Sequence, residues 1–370
     1  MTEELELRFG PRHPAIHGVL LLKLRVDGDR VVDCRPEIGH LHRGIEKLFE
    51  SHPFAGNFGP TNRLDFVAAA ANLACVGAVE KLLGLEVPPR ARQVRTIFAE
   101  LQRIASHLYW LATHASDVGA TAPFSRALWA RERVLALFER YCGDRGARLA
   151  SGWVVPGGLP HDLPEGWAES CRELVESLPE DLDGIEGLLT ENRIWKKRTV
   201  GLGVLSPELA VDCGVTGPVL RASGIAWDLR KALPYEAYGE VDFEVPVGRN
   251  GDTYDRYLVR MAEMRQALRI VAQCLERLAE GLDRAEYRAG LPPELVGPRD
   301  AEVYHGIEGP RGEIGAYIVG DGTPNPYRCH LRTPSFANLQ ALPDLCRGEL
   351  VADLLTLAGT LDLALGEVDR

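Results

Sequence analysis

The stretch 94–111, VRTIFAELQRIASHLYWL, sets Val94, Ile97, Phe98, Leu101, Ile104, Leu108 and Leu111 at steps of three and four. That spacing is one stripe of an amphipathic α-helix. Outward from it, helix is predicted over about Asn62 to Tyr141. Within that span a second helix covers Ser125 to Tyr141, with Leu128, Leu135 and Phe138 inward, and Thr121-Ala122-Pro123 separates the two. A third long helix is expected over Asp252 to Leu282, carrying Leu258, Met261, Leu268, Val271, Leu275 and Leu278, and a last one over about Leu350 to Leu365. The N-terminus reads differently. Val19 to Val26 (VLLLKLRV) is followed by Asp27-Gly28-Asp29 and then Arg30 to Cys34, the pattern of a β-hairpin, and Leu5 to Phe9 adds a strand before it. Gly/Pro-rich connections are expected at 154–164, 201–224 and 245–251. Leu291 to Gly312 reads as loop, and Gly315 to Val319 as a short strand. The organisation is α+β, a large helical core with an N-terminal antiparallel β-sheet. Its division is a β-rich N-terminal domain, 1–60, and a helical core with short β segments, 61–370.

Composition narrows the function classes. The 370 residues include 42 Lys plus Arg and 53 Asp plus Glu, a formal net charge of −11. An acidic chain does not attract phosphate backbones, so no nucleic-acid partner is expected. Hydrophobic residues at 45% and charged residues at 26% are ordinary for a globular chain and exclude disorder and collagen-like structure. The longest near-apolar run, Phe66 to Val79, is interrupted by Asn72 and falls short of the roughly 20 residues that cross a bilayer. The acidic start Met1-Thr2-Glu3-Glu4 is not a signal peptide, so the expected location is the cytosol, or a membrane reached only through partners. No two of Cys34, Cys75, Cys142, Cys171, Cys213, Cys274, Cys329 and Cys346 lie within four residues of each other. This leaves no C-x-x-C motif for zinc, redox or iron–sulfur chemistry. No G-x-G-x-x-G or Walker pattern occurs, so nucleotide binding by this chain is unsupported.

Several residues have chemistry beside a structural reading. His17, in the Pro/Gly-rich bend Gly10 to Gly18, is either a loop proton donor near neutral pH or a surface histidine. His40-x-His42 with Glu46 is either a fragment of a metal site or a polar loop. Arg63, ahead of the buried helix with Asp65, either forms an ordinary salt bridge or biases a nearby redox centre toward added negative charge. His107 sits at the edge of the apolar stripe, where a bond to a backbone carbonyl is the usual explanation. Asp117 ends the same helix, an unfavourable place for an anion unless a cation pairs with it.

Taken together the segments GPRHPAIHGVL (10–20), IGHLHRGIEKL (38–48), RLDF (63–66), VEKLLG (79–84), SHLYWLATHASDVGA (106–120), LRASGIAWDLRKALPY (220–235), RTPSFANLQ (332–340) and GEVDR (366–370) carry a family resemblance. They resemble the D-type subunit of the proton-translocating NADH:quinone oxidoreductase, respiratory complex I, a family itself similar to the large subunit of [NiFe] hydrogenases. The resemblance implies a [NiFe]-hydrogenase large-subunit-like fold. It implies a peripheral subunit on the cytoplasmic side of the cell membrane, in a hetero-oligomeric complex. The implied partners are a B-like iron–sulfur protein carrying a 4Fe-4S cluster, a C-like protein and a membrane-arm subunit, with quinone as substrate. His17 matches the loop histidine that reaches the quinone head group, and Asp117 the acid that pairs with it. Arg63 and His107 match residues beside the partner's cluster, on a flat partner face.

The places where hydrogenases carry two C-x-x-C pairs align with Asp65 and Ala68, and with Ala364 and Glu367. Without those thiolates no cofactor and no metal is expected in this chain, and hydrogenase activity is not expected. Three departures stand out. The family's usual RLDY, whose tyrosine bonds the quinone, is RLDF here, with Phe66 in the quinone-binding position. A helical stretch before the GEVY-like segment is missing, Leu291 to Val303 being too short for it. The region 66–80 is one residue shorter. Phe66 keeps a second reading open, a catalytically silent scaffold subunit of a complex I-like or hydrogenase-related membrane complex.

Overall fold

The computed structural model describes residues 5–12, 18–55, 59–143, 152–282 and 285–370, the side chains of 65–67 excepted. Strands β1 (Leu5–Phe9), β2 (Leu21–Asp27) and β3 (Arg30–Glu37) form an antiparallel sheet in the order β1-β2-β3. Asp27 pairs with Arg30 across a two-residue turn that holds Gly28 at φ 62, so the Asp-Gly reading of the hairpin is correct. Along β2, Leu22, Leu24 and Val26 point into the protein and alternate with exposed residues.

The helices follow in the order α1 (Ile45–Glu50), α2 (Ala68–Leu83), α3 (Pro89–Asp117), α4 (Thr121–Cys142), α5 (Trp167–Leu189), α6 (Arg193–Thr199), α7 (Pro207–Asp212), α8 (Gly217–Ala222), α9 (Leu229–Ala232) and α10 (Thr253–Gly281). A 3-10 turn, Gly59–Val67, leads into α2. A second antiparallel sheet, β4 (Glu302–Gly309), β5 (Gly312–Val319) and β6 (Arg328–Arg332), precedes α11 (Pro334–Leu339), α12 (Leu342–Cys346), α13 (Leu354–Thr360) and α14 (Leu365–Val368). The α+β reading therefore holds.

Helix α3 is the centre. All seven residues of its apolar stripe are fully buried, and Phe98 stacks among Phe138, Tyr141, Trp153 and Trp167 at ring distances of 4.6–5.6 Å. Its core joins α2, α4, α5, α10 and the second sheet. The N-terminal sheet packs into a different core, built with residues 202–220 and 339–368. The two ends of the chain thus share one interior. Of the eight cysteines, six are buried and Cys142 and Cys213 are partly exposed.

Four expectations about elements need correction. Thr121-Ala122-Pro123 is the first turn of α4, not a separator, because a proline there gives up an N–H that has no helical partner anyway. The region read as loop, 291–312, contains β4, whose Val303, Tyr304 and Ile307 favour strand once the Gly/Pro run before it ends. The last helix is broken: a 3-10 turn at Val351–Asp353 and α13 are followed by a bend, with Asp362 at φ 53, before α14. Within α10, Leu258 faces outward while Met261, Leu268, Val271, Leu275 and Leu278 are buried.

Candidate functional site

Three of the stretches singled out in the sequence converge on one segment, residues 354–368. At the N-terminal loop, Leu20 N donates to Pro11 O at 3.0 Å and closes its base. Gly18 lies so close to α14 that a β-carbon on it would stand 2.6 Å from Leu365 Cβ. The 3-10 turn Gly59–Val67 packs on α14 as well as on α1 and α3. The last turns of α3 meet α13, where Trp110 Nε1 donates to Gly359 O at 2.7 Å. A β-carbon at Gly359 would lie 2.9 Å from His114 Nδ1 and 3.4 Å from Asp117 Oδ2. The contact points Gly359 and Leu365 are six residues apart, roughly 20 Å even at full extension.

The same segment is locked by side chains of the quoted motifs. Asp369 accepts the backbone N–H groups of Gly39 and Leu41, each at 2.7 Å, so the 366–370 motif holds the 38–48 loop. Thr333 Oγ1 donates to Glu367 O at 2.9 Å, Ser335 N to Glu367 Oε2 at 3.1 Å, and Ala364 N to Ser335 Oγ at 3.0 Å. The 332–340 motif is therefore the clamp of the C-terminal turn.

Asp117 is half-buried at the end of α3, and among the described residues no cation pairs with it. Burial pushes its carboxyl up to about 7, into the range where it exchanges protons at neutral pH. Its neighbour His114 is fully enclosed between Trp110 and Trp195, and burial, aided by Arg260 and Arg256, pushes it down to about 3. His114 is accordingly a neutral ring. His17 lies outside the described residues, as does the Phe66 side chain.

Arg63 is exposed, and its backbone carbonyl accepts from the Arg43 guanidinium. His107, by contrast, is fully enclosed: its Nε2 lies 2.9 Å from Glu263 Oε2, and neither side chain reaches the surface. The expected backbone-carbonyl partner is instead a carboxylate. Of the two residues expected together on a partner face, one is therefore outside the protein and the other inside it. Burial lowers the His107 pKa against the pull of Glu263, with Arg260 and Arg103 adding to the lowering. Glu46, weighed as a metal ligand with His40 and His42, is saturated by Arg328 Nη2 at 2.8 Å, Leu331 N at 2.9 Å and His330 Nδ1 at 3.0 Å. Among the described residues no group of three His, Cys, Asp or Glu side chains is arranged to hold a metal ion.

Sequence reasoning missed the buried charges around these residues. Arg221, from the LRASG motif, sits between Glu263 Oε1 (2.7 Å) and Glu308 Oε1 (2.7 Å). Arg311, in the two-residue turn between β4 and β5, points inward to Asp362 Oδ1 at 2.9 Å. The Arg260 guanidinium carbon lies over the Trp110 ring, 4.0 Å from its centroid. Burial holds Arg256 down to about 9 and Arg260 to about 10. A periodic pattern does not flag such residues, because each looks like a solvated position on a helix or turn. Arg221, Asp228, Arg230 and Glu367 carried a signal, lying inside quoted motifs. No helix among the described residues is long and apolar enough to cross a membrane.

Comparison with known proteins identifies the family. The family described as respiratory-chain NADH dehydrogenase, 49 kDa subunit, matches residues 117–370. The chain is 45% identical to the second D-type NADH-quinone oxidoreductase subunit of Thermodesulfovibrio yellowstonii, over 98% of this chain and 96% of that one. It is 48% identical to the second D-type subunit of Solibacter usitatus over 100% and 98%, and 45% identical to the D-type subunit of Geotalea uraniireducens over 100% and 99%. The Geotalea alignment takes 390 positions, so the chain lacks residues which that relative has. The Solibacter alignment takes 371, so the shorter form is shared there. The chain belongs to the 49 kDa, D-type subunit family of the NADH:quinone oxidoreductases, as a subunit of complex I.

Proposed function

We propose that this chain, with an iron–sulfur partner subunit, forms the quinone-reduction site of a proton-translocating NADH:quinone oxidoreductase, with His17 and Asp117 as its proton-handling pair. The observation that supports this most is the convergence on residues 354–368: the base of the His17 loop, the turn holding Phe66, and Asp117 all abut it. Asp117, without a cation among the described residues and lifted to about 7, is suited to stabilise an imidazolium brought beside it. Electrons delivered to quinone make its oxygens basic. His17 then donates a proton to the head group, and Asp117 holds the ring in its charged form beforehand.

The 4Fe-4S cluster belongs to the B-like iron–sulfur partner. Arg63 is the exposed cation on this chain that would face it, whereas His107 would act on it only through the field of the buried charges. A C-like protein and a membrane-arm subunit make up the rest of the hetero-oligomer, which places the chain at the cell membrane, peripheral, on its cytoplasmic side.

His17→Ala in the assembled complex tests the reading. Turnover with the natural quinone is expected to fall, and unchanged turnover would overturn the assignment. The scaffold reading rests on Phe66. It requires that the complex reduce no quinone at all, before or after Phe66→Tyr.

A further inference from the structure

The buried charges between α3, α8, α10 and β4 do not balance. Arg103, Arg221 and Arg230 face Glu100, Asp228, Glu263 and Glu308, three cations against four carboxylates, all at most 3% exposed. Glu100 lies 3.1 Å from both Arg103 and Arg230 and accepts from Tyr238 OH at 2.6 Å. Asp228 pairs with Arg230 at 2.6 Å. Glu263 pairs with Arg221 and His107. Widening the circle does not restore the balance, since Arg260 and Arg311 face Asp362 and Glu367, two against two. Isolated excess charge in a protein interior is costly, and a carboxyl there takes up a proton instead.

Two groups are placed to hold that proton. His107 is opposed by Arg103 and Arg260 and has no partner for Nδ1. Glu308 shares one nitrogen of Arg221 with a second carboxylate: Arg221 Nη1 lies 2.7 Å from Glu308 Oε1 and 3.6 Å from Asp228 Oδ2. Apart from that nitrogen, the Glu308 carboxylate accepts, among the described residues, only from Leu229 N, at 3.1 Å. Two carboxylates on one cation do not both ionise readily.

We propose that this cluster keeps one proton at neutral pH and that Glu308, sharing Arg221 with Asp228, carries it as an internal proton reserve. Burial and the charge of Asp228 both raise Glu308, against the pull of Arg221, Arg103 and Arg230. Tyr235 also faces it, donating no charge; its hydroxyl accepts from Glu308 N at 3.1 Å. Across Arg221 the cluster reaches His107 on α3, ten residues and about 15 Å of helix from Asp117. Use of the reserve to replace a proton given up near Asp117 rests on the function proposed above. The reserve itself does not, and the test involves no quinone.

The test compares the purified full chain with Glu308→Gln, Asp228→Asn and Glu263→Gln at neutral pH. Glutamine copies a protonated glutamate. Glu308→Gln is therefore expected to leave the thermal midpoint unchanged while removing a deuterium-sensitive carboxylic-acid C=O stretch from the infrared spectrum. Asp228→Asn, which restores three against three, is expected to remove the same band by letting Glu308 ionise. Glu263→Gln is expected to lower the midpoint. Variant spectra that keep every carboxylic-acid band of the parent in both Glu308→Gln and Asp228→Asn, or a midpoint that falls as far in Glu308→Gln as in Glu263→Gln, overturn the proposal. Should Glu308→Gln fail to fold, loss or survival of the band in Asp228→Asn decides it alone.

Discussion

Trp110 Nε1 donates to the carbonyl of Gly359 at 2.7 Å, tying the last turns of α3 to α13. The bond requires the two helices to approach as closely as a missing side chain allows. Gly359→Ala would set a β-carbon 2.9 Å from His114 Nδ1, and the enclosed imidazole between two tryptophans has nowhere to move. Overpacking of this kind costs about 1–3 kcal/mol. Gly187→Ala, in α5 with open space around it, is expected instead to stabilise by about 0.5–1 kcal/mol. Denaturant midpoints of the two variants, moving in opposite directions, check this.

Asp117 gives a pH dependence of defined sign. Its folded pKa, about 7, lies above the ordinary carboxylate value of 3.8. Between those values the native chain holds a proton that the unfolded chain has released, so this group's contribution to stability falls as pH rises through the window. Asp117→Asn removes the penalty. The variant is expected to be more stable than the parent at pH 8 and to lose that advantage as pH drops to about 4. Equal stability of the two at pH 8 would mean that the carboxyl is not held in a poorly solvated place.

Asp369 supports the loop 38–42 through two charged hydrogen bonds, to Gly39 N and Leu41 N. Asp369→Ala leaves both N–H groups without that acceptor and is expected to cost about 2–4 kcal/mol. Asp369→Asn, which keeps an acceptor but loses the charge, should cost less. Equilibrium unfolding of the three proteins gives the ranking.

The stripe on α3 was legible in the sequence because apolar residues recur at helical spacing along it; that the polar side with Glu100, Arg103 and His107 is buried too was not. The hairpin was legible because Asp-Gly allows few other backbones. Helix α5 was not assigned, although Trp167, Cys171, Leu174, Leu178, Leu182, Ile185 and Leu189 are all buried. Pro179 and two glycines mask its period. For the proposed site, motif order pointed to Asp117, but nothing local shows that Gly359 faces it or that Glu263 encloses His107. Those pairings join residues more than 150 positions apart, and the chain records them only as ordinary polar residues.

Phe66 is the position at which the catalytic and scaffold readings part. The resemblance implies a tyrosine here that donates its hydroxyl to the quinone carbonyl, and removal of one donor to a developing oxyanion costs about 2.7–4 kcal/mol where nothing replaces it. If this chain reduces quinone with His17 as its only donor, Phe66→Tyr is expected to raise turnover of the assembled complex, by up to about 10³-fold. If another donor already fills the place, turnover stays level, because the added hydroxyl duplicates an existing bond. A clear fall is the outcome the catalytic reading does not allow, since it would mean that the pocket excludes the group its relatives use. The measurement is steady-state quinone reduction with kcat and KM determined separately. A donor that acts on the developing charge changes kcat, whereas one that merely fills space changes KM.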